Sequence, residues 1–257
     1  MSGPVRLALA MVLAAAPAGA RAQTMLDQEQ RLIEIHSLLL DLPPLQGPGA
    51  LAAWQWNLGL EIITVPEIDG TTGSKVQLTA SDRTSVFPRP RLTLGLPAPE
   101  GFRAFAGVAY VPPIEVRDAS TNLIAAEAGF AYVPDPFRVG IRAHALYAYS
   151  VAPVTDPATR DTLETSEYGV ELSAAWAFAV ESAGLDVVPY AGAGIVGLHG
   201  RFRVTSDGYV LESDYTGASL NAGVRLVLAR RWEGVAEVDW YPDRLVHPSF
   251  KLGYVFP

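Results

Sequence analysis

The sequence predicts an all-β chain, an antiparallel up-and-down transmembrane β-barrel of about ten strands preceded by a short amphipathic helix. Three observations predict it. From residue 51 onward hydrophobicity alternates with a period of two, the mark of strands with two unlike faces. The links between alternating segments are short and long in turn, which puts tight turns at one end and loops at the other. The face carrying charge is otherwise built from Gly, Ala, Ser and Asn, whereas the apolar face carries Trp, Tyr, Phe and Leu. A water-soluble barrel would turn its bulky residues inward; here small and charged residues suit a confined interior and bulky ones suit lipid.

Composition agrees with that inversion. Of 257 residues, 49% are hydrophobic and 18% charged, with no cysteine, 23 glycines and 20 prolines, fewer charges than the quarter usual for soluble domains. Without cysteine, disulfide stapling is excluded. Residues 1–22 have the order of a secretory signal peptide: a cation at Arg6, an apolar stretch over 7–16, and small residues Ala20 and Ala22 flanking Arg21. With Arg6 and Arg21 removed, 17 of the 19 basic residues face all 27 acids, a net charge of −10 that argues against nucleic-acid binding.

Residues 23–50 form a second unit. Over 25–42, Leu32, Ile35, Leu39 and Leu42 fall on one helical face and Asp27, Gln30, Arg31, Glu34, Ser37 and Asp41 on the other. Thr24 with Asp27 resembles a capping box, and Pro43-Pro44 stops the helix. Such a helix could plug the lumen, lie on the inner leaflet, or dock a periplasmic partner.

The barrel occupies 51–257. Strands are expected at 51–65, 87–96, 102–112, 121–133, 137–151, 167–180, 186–204, 213–228, 231–241 and 248–256; eight is the alternative if two of these are loop ribbons. Alternation is clearest in the fifth, where Phe137, Val139, Ile141, Tyr147 and Tyr149 oppose Arg138, Arg142 and His144. The seventh is apolar on both faces, so its facing is ambiguous. The outward aromatics fall into two bands: Trp54, Trp56, Phe130, Tyr132, Phe137, Trp176, Phe178, Trp232, Tyr254 and Phe256, with Phe102 and Tyr190, toward one end, and Tyr147, Tyr149, Tyr168 and Trp240, with Tyr110, Phe202 and Phe250, toward the other. Two aromatic girdles around an aliphatic belt are what a bilayer with two interfaces selects.

The last strand, with Phe250, Leu252, Tyr254 and Phe256 alternating to the chain end, resembles the terminal signal of bacterial outer-membrane β-barrel proteins. That resemblance covers 51–257. It implies a porin-like Gram-negative outer-membrane location, contact with outer-membrane lipid, insertion by the barrel-assembly machinery through the C-terminal strand, and both termini in the periplasm. It implies little about activity, because the superfamily holds pores, adhesins, anchors and enzymes.

Expected lumen residues are Glu61, Arg91, Arg103, Glu127, Arg138, Arg142, His144, Glu171, Arg201, Arg203, Arg225, Glu233, Glu237, Asp239 and Lys251, with His199. The turn at 134–136 sets Glu127 opposite His144 and diagonal to Arg142; Arg225 should approach Glu237, and Lys251 should approach Glu61. Two readings follow: a structural or interaction barrel whose interior is closed by ion pairs, or a narrow path in which excess arginine favours small anions. A third class rests on His247 and Ser249 with Asp243 or Asp239, which resemble the His-x-Ser pair of outer-membrane lipid A deacylases; the same residues fit a His-Pro turn entering a strand, and the chain is not expected to be an enzyme. Ten acids (Glu67, Asp69, Asp82, Asp156, Asp161, Glu164, Glu167, Asp207, Glu212 and Asp214) fall in expected long loops, and their spacing matches no calcium loop, so no metal or cofactor is expected.

Overall fold

The computed structural model describes residues 25–65, 85–116, 119–154 and 158–257. The expected signal peptide and most of the first long loop, with its acids Glu67, Asp69 and Asp82, lie outside the described residues, as does Asp156. The helix α1 spans Met25–Leu38. The strands are β1 (Trp56–Val65), β2 (Ser85–Leu96), β3 (Phe102–Val116), β4 (Ala119–Tyr132), β5 (Phe137–Ala152), β6 (Asp161–Trp176), β7 (Phe178–Val180), β8 (Leu185–Arg203), β9 (Val210–Leu228), β10 (Trp232–Tyr241) and β11 (Leu245–Phe256).

Apart from β6 and β7, consecutive strands pair antiparallel, and β1 pairs with β11, so the sheet closes. The three-residue β7 resumes the line of β6 after Ala177, and both pair with β8. The result is an up-and-down barrel of ten staves with one short break, as the sequence predicts. Closure of β1 on β11 removes the long free edges that an open sheet would present to hydrocarbon.

The two ends differ. At one, β9 and β10 are joined by Ala229 and Arg230, both at positive φ (51° and 58°), with the Arg231 N–H donating to the Leu228 carbonyl; two positive-φ central residues make a hairpin turn whose twist matches the sheet. At the other end strands run further than hydropathy shows. The link expected at 113–120 is largely zipped into β3–β4, and those at 152–166 and 204–213 are partly zipped into β5–β6 and β8–β9. Beyond the bilayer both faces of a ribbon are wet, so the two-residue hydrophobic rhythm disappears while backbone pairing continues.

The wall is inverted. Outward Leu172, Ile195 and Leu252 are 62%, 64% and 72% exposed, while inward Arg89, Arg91 and Lys251 are 1% exposed. The lower aromatic band is a contact chain: Trp56 pairs with Phe256 across the β1–β11 seam, Phe102 stacks on Phe130 at 5.1 Å, and Tyr254 touches Trp232 at 5.0 Å and Phe256 at 4.7 Å. Tyr110, Tyr147, Tyr149, Tyr168 and Phe250 are the exposed aromatics of the other band. Tyr190 departs from expectation: it is buried, facing the lumen with Val188 and Leu198, and Phe202 shares their parity.

An eight-stranded barrel is filled by its own side chains, and ten strands leave room for more. That room holds the chain's own N-terminal segment. The helix ends at Leu38, earlier than Pro43, and residues 40–49 continue as buried irregular backbone. Leu38 packs on Val196, Leu198 and Tyr241; Leu40 and Leu42 on Val111, Leu123, Leu146 and Ala148; Leu45 on Val188, Tyr190 and Val235. Each such leucine, fully buried, contributes on the order of 2 kcal/mol. These patches explain why β8 is apolar on both faces: one meets lipid, the other meets the plug.

Candidate functional site

The plug runs the length of the lumen. Near the loop end, Arg31 donates to the Asp243 carbonyl and Gln30 to the Glu212 carbonyl; Glu34 takes an ion pair from Arg244 at 2.6 Å and a hydrogen bond from Ser213. Near the turn end, Trp54 N–H donates to the Gly95 carbonyl and Gly95 N–H to that of Gln55, and a Cβ on Gly95 would lie 1.8 Å from the Ala52 oxygen. The chain thus descends from the loop rim at α1 to the turn rim, where β1 begins. Met25, the first described residue, and Phe256 therefore lie at opposite ends of the barrel. The expected wet face on α1 is corrected: Glu34, His36, Ser37 and Asp41 are as buried as Ile33 and Leu38.

Irregular backbone inside a barrel has no ladder to satisfy its carbonyls, so side chains must do so. Three arginines from the wall supply the donors. Arg89 Nη1 reaches the carbonyls of Leu40 and Asp41, both at 2.9 Å; Arg142 Nη2 reaches that of Leu42 at 2.6 Å; Arg91 Nη1 reaches that of Pro43 at 2.8 Å. The same guanidiniums alternate with carboxylates along the wall: Arg89–Glu61 and Arg91–Glu61 at 2.6 Å, Arg91–Glu127, and Arg142–Glu127 and Arg142–Glu171 at 2.7 Å. Four successive plug carbonyls are thereby tied to one ionic chain running over five strands. The Leu45 N–H, for its part, donates to Glu237.

A second group sits under the β9–β11 wall. Glu233 pairs with Arg225 at 2.6 Å and Lys251 at 2.7 Å and accepts a hydrogen bond from Asn57. Arg225 thus meets Glu233 and not Glu237. Lys251 stands opposite Glu61 in register yet binds Glu233. Glu127 is opposite His144 and bonded to Arg142, as expected.

Of the expected lumen residues, Glu61, Arg91, Glu127, Arg142, His144, Glu171, Arg225, Glu233, Glu237, Asp239 and Lys251 are buried inside. Arg103 and Arg138 line the turn end, half-buried; the Arg138 guanidinium reaches the Gly49 carbonyl at 3.3 Å. Arg201 and Arg203 are corrected: with His199 they take the outward parity of β8, where half-buried Arg201 pairs with exposed Glu212, and exposed His199 with exposed Asp214. The doubly apolar face of β8 hid that parity. Sequence reasoning missed Arg89, Asp41, Glu167, Tyr241, His247 and Ser249 as lumen groups. Arg89 shares parity with Arg91 and is legible; Glu167 reads as loop because the head of β6 shows no hydrophobic alternation.

The charge balance also differs from expectation. Among the described residues ten carboxylates are buried (Glu34, Asp41, Glu61, Glu127, Asp161, Glu167, Glu171, Glu233, Glu237, Asp239) against Arg89, Arg91, Arg142, Arg225 and Lys251. Buried acids therefore outnumber buried bases among the described residues. His247 and Ser249 face Asp239 and Glu237 across the β10–β11 register, and both are buried in the lumen.

No protein-family profile matches the chain, and neither does any curated protein. Solved structures similar to it include the β domain of the Bordetella autotransporter BrkA (15% identity, 80% of this chain and 100% of that one, TM-score 0.42). Others are the translocator domain of autotransporter NalP from Neisseria meningitidis (12%, 90% and 95%, TM-score 0.42) and the N-terminal β-barrel domain of Pseudomonas aeruginosa OprF (11%, 80% and 100%, TM-score 0.31).

Proposed function

We propose that this chain is an outer-membrane β-barrel closed by its own N-terminal segment, acting as a structural or interaction barrel and not as a conduit. The observation that carries this reading is the seating of residues 33–49: buried along the lumen, packed through four leucines, with the carbonyls of residues 40–43 held by Arg89, Arg91 and Arg142. An exterior of exposed Leu, Ile and Val between two aromatic bands supports residence in a bilayer. With the short turns periplasmic, as the terminal strand's resemblance implies, α1 enters from the cell surface, and the ribbons of β3–β4, β5–β6 and β8–β9 offer the area for partners.

Lipid hydrolysis is no part of this reading, since His247 and Ser249 turn away from the lipid face. Planar-bilayer recording tests the closure. The intact protein should be electrically silent, and deletion of residues 23–48 should give discrete steps of conductance. Steady conductance from the intact chain would refute the closed reading and favour a channel.

A further inference from the structure

Most lumen carboxylates are spoken for: Glu61, Glu127, Glu171 and Glu233 each hold at least one guanidinium or ammonium. One cluster is not. Asp41 on the plug, His144 on β5 and Glu167 on β6 are buried, and one ligand atom from each lies within 4.8 Å of the other two. His144 Nε2 is 3.1 Å from Asp41 Oδ1 and 3.6 Å from Glu167 Oε1. Both oxygens of Glu167, Oδ1 of Asp41 and Nε2 of His144 lack a hydrogen-bond partner. Two buried carboxylates this close to one another are satisfied only by a proton shared between them or by a cation bound between them.

We propose that Asp41, His144 and Glu167 form a binding site for a divalent transition cation of the zinc class, which fastens the plug to the wall. Three features point there. Two ligands about 2.1 Å from a zinc ion, separated by about 90–118°, stand about 3.0–3.6 Å apart, which spans the separations that His144 Nε2 makes. One imidazole with two carboxylates suits zinc or manganese better than calcium or magnesium, which take all-oxygen shells. Asp239 and His247, paired in register across β10–β11 and buried in the same lumen, leave Asp239 Oδ2 and both His247 ring nitrogens without partners as well.

The surrounding groups set the cost of loading. Tyr241 donates its hydroxyl to Asp41 Oδ2 and so orients that carboxylate, as an outer-shell donor does. Arg142 Nη1 lies 3.2 Å from His144 Nδ1. With the cation on Nε2, the ring proton sits on Nδ1, and this one contact is given up; Arg142 keeps Glu127, Glu171 and the Leu42 carbonyl. Asp41 lies on the plug, so the site rests on the same seating of residues 33–49 that carries the closed reading.

The test is titration of the chelator-stripped, detergent-solubilised protein with cobalt(II), followed by displacement with zinc. One cobalt per chain is expected, with a visible spectrum of mixed nitrogen and oxygen ligands. The isosteric Glu167→Gln and Asp41→Asn should each weaken binding at least ~100-fold, and His199→Ala, which removes an exposed histidine, should not. Zinc should raise the temperature at which the compact wild-type band unfolds on a gel. Absence of stoichiometric cobalt on wild-type protein that migrates as compact overturns the site, as does undiminished binding in both variants; either result leaves a proton shared between the acids. Conductance tells the two proposals apart, since a metal-free but silent barrel sinks only this one.

Discussion

Lys251 stands directly opposite Glu61 across the β1–β11 seam, yet its ammonium binds Glu233 at 2.7 Å while Glu61 is held between Arg89 and Arg91 at 2.6 Å. Register decides which residues can meet; competition among donors decides which do. The arrangement ranks two substitutions. Glu61→Ala removes a shared partner from two buried guanidiniums and should cost about 3–5 kcal/mol, as breaking a buried pair does. Lys251→Met leaves Glu233 its Arg225 and Asn57 partners and should cost markedly less. Urea unfolding in lipid vesicles measures both, and the reverse order would show that the Glu61 chain is not what organises the wall.

Seating of the plug can be fixed covalently. Ser37 Oγ on α1 is 3.0 Å from Thr165 Oγ1 on β6, both buried. The chain has no cysteine, so Ser37→Cys with Thr165→Cys introduces the two thiols without background. Oxidation should form the cross-link in nearly all molecules, raise the unfolding temperature of the compact band, and be reversed by reductant. Failure to oxidise in folded protein would place α1 elsewhere.

The barrel was legible in the sequence because lipid and lumen impose opposite chemistry on alternate residues, and β5 shows it plainly. Legibility failed where that contrast failed. On β8 both neighbours are apolar, lipid outside and the leucines of the plug inside, so hydropathy does not say which side Arg201 and Arg203 take. At the head of β6 both faces are polar, so Glu167 reads as loop. The plug itself was one of three readings of an amphipathic helix, because a helix inside a mixed lumen is buried on every side and its pattern does not say by what. The cluster of Asp41, His144 and Glu167 joins three segments and leaves no local motif.

All five tryptophans turn outward, four at the turn end (Trp54, Trp56, Trp176 and Trp232) and Trp240 at the other. Interfacial indoles sit at headgroup level. In vesicles of brominated lipid their fluorescence should be quenched more by bromine near the headgroup than by bromine at the bilayer centre. A protein that stays in solution without detergent or lipid, unquenched by either, would undo the membrane reading.

His36 should make the plug acid-sensitive. Burial lowers its pKa below the ordinary 6.5, and a hydrogen bond to the Leu32 carbonyl offsets only part of that. In the seated helix the ring therefore resists a proton that it accepts when the chain is unfolded. The unfolded state then binds more protons, and stability rises with pH through this window. The contribution is complete above pH 6.5, where both states are neutral, and falls away as pH drops below it. The wild-type unfolding temperature should decline between pH 8 and pH 5 more than that of His36→Phe, which keeps an aromatic ring but cannot be protonated. The comparison isolates His36, because the other buried acids and histidines are shared by both proteins. Parallel pH profiles would mean that the ring meets water, and that α1 is not seated as its contacts with Gly200, Ser213 and Arg244 require.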